Sequence, residues 1–284
     1  MRMNLPAEVK GGFVLRPRNA NKRTVGTITV VGGSGRYPHA PVVAGLGARA
    51  AGAGLVQLVV PDASRAAAGA LVPEATFTEL AAACVPPGAD VTVVGMGLGV
   101  SDFSESVVSR ILSGSCGRFV LDADALTVLA SLRGRADGYA PAKGQELVLT
   151  PHEGEAARLL GLKRGHVFED RLAAAREIVV RYGATVVLKG PETLVVSADG
   201  SRVYRNITGN PFMAMGGMGD LLAGVIGARW AYLGGDPFLA AASSVWLHGA
   251  ASDALVADAV DPSIAHTADR IGSMRVRLDS SAEA

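Results

Sequence analysis

Gly209-Asn210-Pro211-Phe212-Met213-Ala214-Met215-Gly216-Gly217-Met218-Gly219-Asp220 runs directly into the apolar stretch Leu221-Leu222-Ala223-Gly224-Val225-Ile226. Glycines at 216, 217 and 219 allow a tight turn that brings bare N–H groups against an anion, and a helix starting there aims its positive end the same way. Phosphate is the matching guest. Asp220 falls in the first turn of that helix, where the dipole favours a carboxylate and holds it ionised, able to take a proton from a hydroxyl. Loop and base together describe phosphoryl transfer to an alcohol. A plainer reading stands beside it: Gly-Gly-x-Gly also serves flexible turns and tight helix packing, and an aspartate at a helix start is often only a cap.

Other polar residues follow short β-branched runs. Thr27-Ile28-Thr29-Val30-Val31 stops at Gly32-Gly33-Ser34-Gly35, and Val91-Thr92-Val93-Val94 stops at Gly95-Met96-Gly97-Leu98-Gly99. Phe119-Val120-Leu121 delivers Asp122-Ala123-Asp124, Leu147-Val148-Leu149 delivers Thr150-Pro151-His152-Glu153-Gly154-Glu155, and Thr185-Val186-Val187-Leu188 ends in Lys189-Gly190-Pro191-Glu192-Thr193. In an open parallel α/β sheet the carboxyl edge is where ligands bind, so the first four of these strand ends describe one cleft. The spacing predicts helices over residues 40–52, 65–71, 101–112, 169–182, 221–232 and 237–255, the last two covering one face of the sheet. The alanine- and glycine-rich 40–52 helix should lie very close to the sheet. Leu194-Val195-Val196 and Arg202-Val203-Tyr204 flank Asp199-Gly200, an antiparallel hairpin added to a mostly parallel sheet. Between residues 63 and 87 little is legible beyond the 65–71 helix and a proline break at Pro86-Pro87.

With 284 residues, 49% of them hydrophobic and 19% charged, the chain can bury a large core as one domain. Lys and Arg number 27 against 26 Asp and Glu, a balance that argues against nucleic-acid or membrane-surface partners and for a small molecule. Cys84 and Cys116 are too few for a disulfide framework or a zinc site, and they read as buried thiols. His39, His166, His248 and His266 read as surface or packing residues, and no metal-ligand spacing joins them. No secretory or membrane-spanning apolar run is present, so a soluble cytoplasmic protein is expected.

In this order, the strand-end motifs resemble ADP/ATP-dependent NAD(P)H-hydrate dehydratases. They are Gly32-Gly33-Ser34 with Tyr37-Pro38 and Ala40, Gly52-Ala53-Gly54-Leu55-Val56, Asp122-Ala123-Asp124-Ala125-Leu126, Thr150-Pro151-His152-x-Gly-Glu155, Leu188-Lys189-Gly190 with Thr193, and the 209–220 segment. The resemblance spans roughly residues 25–270 and implies a three-layer ribokinase-like fold, a single domain over 1–284 without the epimerase domain fused to many bacterial members. It further implies repair of hydrated NADH and NADPH (NADHX and NADPHX): a nucleotide phosphorylates the 6-hydroxyl, and loss of phosphate restores the nicotinamide ring. ADP or ATP would be the co-substrate with Mg²⁺, a separate NAD(P)HX epimerase a partner, and a homo-oligomer such as a tetramer the assembly.

Carried over by position, Asp220 resembles the catalytic base and Gly219 lies at the nucleotide phosphates. Lys189, Gly190, Pro191, Glu192 and Thr193 resemble the segment lining the adenine nucleotide, with Lys189 a point charge suited to phosphate. Ala40, Gly97, His152 and Asn210 match positions facing the hydrated dinucleotide. His152 also suits a helix cap, and Asp122 and Asp124 stay open between magnesium–phosphate or hydroxyl binding and turn formation. His39, Phe212, Met215 and Met218 depart from the family, which has glycine at the first two positions and small hydroxyl residues at the last two. Two other readings remain: a small-molecule alcohol kinase of the same superfamily, of thiazole or pyrimidine kinase type, and a non-enzymatic nucleotide-binding regulator.

Overall fold

Strands such as Thr27–Val31 are buried along their whole length, which requires cover on both faces of the sheet. The computed structural model describes residues 5–80, 88–114, 116–133 and 144–281. In chain order these form α1 (Ala7–Lys10), β1 (Thr27–Val31), α2 (Ala40–Ala50), β2 (Leu55–Val60), α3 (Arg65–Leu71), β3 (Thr76–Glu79), β4 (Val91–Val94) and α4 (Asp102–Leu112). Then come β5 (Gly117–Leu121), α5 (Asp124–Arg133), β6 (Gln145–Leu149), α6 (Glu153–Leu160), α7 (Arg164–Glu169), α8 (Arg171–Tyr182) and β7 (Thr185–Leu188). The hairpin β8 (Leu194–Val196) and β9 (Val203–Arg205) precedes α9 (Met218–Leu233), α10 (Pro237–Ala257) and α11 (Ile264–Ser280).

The strands make one nine-stranded sheet in the order β3-β2-β1-β4-β5-β6-β7-β8-β9. β1 to β7 are parallel, and β8 and β9 are antiparallel additions, as the Asp199-Gly200 turn predicts. The strand order reverses between β1 and β4, a switch point where the loops leaving adjacent strands diverge and open a crevice. Alternate side chains feed two cores. Ile28, Val30, Val93 and Val148 pack with Leu46, Val225, Leu247 and Ile271 on the α2, α9, α10 and α11 face, while Val31, Val94, Leu121 and Leu149 pack with Val108, Leu129, Leu159 and Ile178 on the other.

The 40–52 glycines bring the helix close to the sheet, as expected, and to a second helix as well. Gly45 does face Leu58 of β2, but the closest approach is to α9: Gly47 lies against the Leu221 carbonyl, and a Cβ at Gly224 would run into the Ala44 carbonyl and sit 2.9 Å from Ala48 N. Backbone-to-backbone contact of α2 and α9 fixes the helix that carries Asp220. Its other end is held by the buried Arg229, which forks onto Asp279 of α11 at 3.2 Å and donates to the Gly12 carbonyl.

The single helix expected over 169–182 is two, because Asp170 leaves the helical region (φ −141, ψ 86) and caps α8 through Ala173 N. No expectation covered β3 or α11, although Ala268, Ile271, Met274 and Leu278 of α11 are buried at a helical spacing. Cys116 is exposed rather than buried, since it sits at the amino end of β5 outside both cores. Cys84 and the Pro86-Pro87 break lie outside the described residues. No described helix is long and apolar enough to cross a membrane.

Candidate active site

At the switch point the loops after β1 and β4 interlock. Gly33 N–H donates to the Met96 carbonyl at 2.9 Å, and Gly97 takes a left-handed φ of +65. A Cβ at Gly97 would lie 2.7 Å from Tyr37 Cβ and 3.0 Å from Ala40 Cβ, so Ala40 and Gly97 are neighbours whose small size first lets the two loops pack. Asp124 holds the same loop by accepting Gly99 N–H at 2.8 Å.

Next along the sheet edge is a buried cluster of charge. Asp122 ends β5 and is 1% exposed, its position fixed by its own N–H on the Val94 carbonyl and by Ala123 in the left-handed region at φ +51. Lys189 leaves β7 and sets its Nζ 2.6 Å from Asp122 Oδ1 and 3.9 Å from Glu155 Oε2. Gly219 lies over this pair, a Cβ there being 3.2 Å from Lys189 Nζ, so the N-terminus of α9 and the ammonium converge. Burial works against the Lys189 charge, yet Asp122 and Glu155 keep its ammonium above the ordinary lysine range. Glu155 is pushed up, chiefly by burial.

Asp220 sits one residue further into α9. The helix start was expected to hold it ionised; instead burial first and Asp122 second push it up to about 7, against the pull of Lys189. Burial and the nearby carboxylates outweigh Lys189, and the outcome is a carboxyl group poised near neutrality, where a general base works best.

His152 and the 189–191 turn share one cleft of about 470 Å³, lined also by Glu153, Gly154 and Arg164. His152 is the N-cap of α6: its Nδ1 accepts Gly154 N–H at 3.0 Å and Glu155 N–H at 3.1 Å, while Glu155 Oε2 accepts His152 N–H at 2.8 Å. The capping reading therefore holds, and the ring still faces the cleft. Arg171 at the start of α8 donates to the carbonyls of Leu188 at 3.1 Å, Lys189 at 3.2 Å and Pro191, and so shapes the 188–191 turn. Beyond that turn Glu192 pairs with Arg205, and Thr193 Oγ1 donates to the Gly190 carbonyl at 3.0 Å.

In the 209–220 segment the polar side chains serve the loop itself. Asn210 Oδ1 accepts Phe212 N–H at 3.1 Å, and its amide donates to Ser252 at 3.0 Å and Asp253 at 2.9 Å. Asp253 also accepts Gly209 N–H at 2.8 Å. His39, Phe212 and Met215 are exposed, but Met218 is 5% exposed within the α2–α9 core. Its side chain packs in that core.

The sequence pattern of the NAD(P)H-hydrate dehydratase family matches residues 28–273, nearly the whole described chain. The chain belongs to that family. It is 40% identical over 252 residues to the ADP-dependent (S)-NAD(P)H-hydrate dehydratase of Neisseria meningitidis, covering 86% of this chain and 81% of that one. The bifunctional NAD(P)H-hydrate repair enzyme of Gloeobacter violaceus is 38% identical over 90% of this chain, which spans half (50%) of that protein's length. The ADP/ATP-dependent NAD(P)H-hydrate dehydratase of Bacillus subtilis, co-crystallised with ATP/Mg²⁺, superimposes with a TM-score of 0.84 at 28% identity, covering 98% of this chain and 100% of that chain. The mostly parallel three-layer architecture is accordingly ribokinase-like.

Among the described residues, no group of three or more His, Cys, Asp or Glu side chains could hold a metal ion. Lys189 occupies the space between Asp122 and Glu155 that a cation would need. Magnesium would fit there as the counter-ion of nucleotide phosphates. Glu153, Arg164, Arg171 and Asp253 were invisible as site residues in the sequence, because each acts on a partner from another element.

Proposed function

We propose that the cleft takes hydrated NADH or NADPH together with ADP or ATP and dehydrates the nicotinamide ring through a phosphorylated intermediate. The observation that carries this reading is Asp220 at the positive end of α9, held near neutrality beside the Lys189–Asp122 pair. Asp220 takes the proton of the 6-hydroxyl as that oxygen attacks the terminal phosphorus; the new O–P bond replaces the one to the departing nucleotide. Backbone N–H groups from Gly216 to Gly219, with Lys189, receive the charge on the transferred group. The C–O bond then breaks, phosphate leaves with the bonding pair, and loss of a ring proton restores the double bond. Magnesium would supply charge neutralisation of the nucleotide phosphates.

We assign Ala40, Gly97 and His152 to the dinucleotide and residues 189–193 to the nucleotide, with Asn210 ordering the loop that leads into α9. The test is to incubate the protein with prepared NADHX, Mg²⁺ and either ADP or ATP, and to follow the return of the reduced nicotinamide absorbance. No return under either nucleotide sinks the proposal; stable phosphorylation of an alcohol instead would point to the superfamily's small-molecule kinases.

A further inference from the structure

Glu153 opens α6 with one carboxylate facing two guanidiniums. Its Oε2 accepts from Arg164 Nη2 at 3.4 Å, and its Oε1 lies 3.6 Å from Arg171 Nε. The two arginines are held very differently. Arg171 has a side chain 17% exposed and donates to the carbonyls of Leu188, Lys189 and Pro191, so it is locked into the turn after β7. Arg164, the first residue of α7, has a side chain 75% exposed and reaches Glu153 only by that long contact.

Arg164 and Lys189 line the same cleft, with the Gly190-Pro191 turn. Lys189 is the inner cation, 18% exposed and tied to Asp122 at 2.6 Å beneath Gly219. Arg164 is the outer one. An exposed ion pair contributes little, so an anionic ligand can draw Arg164 away at small cost. Glu153 is not stranded by the exchange, because Arg171 remains beside it. A planar guanidinium also matches two oxygens of one phosphate, which a lysine ammonium does not.

We propose that Arg164 is a nucleotide-binding residue: on entry of ADP or ATP its guanidinium leaves Glu153 and takes the phosphate chain. The terminal phosphate then lies at Lys189 and the glycine turn before α9, and the phosphates nearer the ribose lie along the Arg164 wall. This assignment rests on the function proposed above for the presence of an adenine nucleotide in the cleft.

Arg164→Met and Lys163→Met each remove one positive charge from adjacent exposed positions, of which only Arg164 lines the cleft. ADP and ATP are titrated calorimetrically into each resting protein, NADH is titrated as a dinucleotide with phosphates of its own, and denaturant midpoints are recorded. Arg164→Met should weaken ADP and ATP by about tenfold or more, with NADH affinity and the midpoint near wild type. Lys163→Met should leave every titration near wild type. Unchanged ADP and ATP affinity in Arg164→Met overturns the proposal, whether or not the midpoint falls. An equal loss in Lys163→Met, or a loss for NADH as large as that for ADP, overturns it as well. Wild-type protein that binds ADP or ATP without dehydrating NADHX would defeat the proposed function alone, since the titrations still decide the role of Arg164.

Discussion

Lys189 Nζ and Asp122 Oδ1 meet at 2.6 Å across the carboxyl ends of β7 and β5, with β6 between the two strands. Asp122 has almost no contact with water, and the lysine is its ion-pair partner. The lysine expected to serve phosphate is therefore also a structural counter-ion, and an incoming phosphate must share it.

Lys189→Met should destabilise the fold by roughly 3–5 kcal/mol, because it strands a buried carboxylate. Asp122→Asn in the same chain should recover much of that loss without restoring tight nucleotide binding. Denaturant midpoints and calorimetric titration with ADP and ATP check the pair. A Lys189→Met midpoint equal to wild type would show that Asp122 is not held by this contact.

Asp220→Asn keeps the shape of the side chain and removes its ability to take a proton. Turnover should drop by roughly two to four orders of magnitude, with ADP and ATP affinity within a few-fold of wild type. Turnover within a few-fold of wild type would remove Asp220 from the mechanism.

The same residue sets a pH dependence. In the folded protein Asp220 lies at about 7 against an ordinary 3.8, so folding favours its protonated form. Its contribution to stability is fully present below 3.8 and is lost as the pH climbs through about 7. Asp220→Asn should therefore match wild-type stability near the acid end and exceed it at pH 8 by about 1–3 kcal/mol, while wild-type turnover rises through neutrality. Parallel midpoints for the two proteins across that range would contradict the buried-carboxylate account.

Met218→Thr should cost roughly 1–3 kcal/mol of stability by opening a void between α2 and α9. No gain in nucleotide affinity should accompany it, because the side chain faces the core. A tighter ADP or ATP titration with an unchanged denaturant midpoint would place residue 218 at the phosphates instead.

Much of the architecture was written locally. β-branched runs ending in glycine or polar residues marked the parallel strands and their ligand-bearing edge, and Asp199-Gly200 marked the hairpin, since backbone geometry and burial act over a few neighbouring residues. The ordered motifs pointed to the family, and His152 and Lys189 do line one cleft. The sequence could not say that Lys189 meets Asp122, that Arg171 shapes the turn after β7, that Met218 turns inward, or that Asp220 is held near neutrality instead of ionised. Each of these depends on groups brought together from distant parts of the chain and on how much water they lose. Proton affinity and charge pairing are properties of that shared environment, so only the packed tertiary structure decides them.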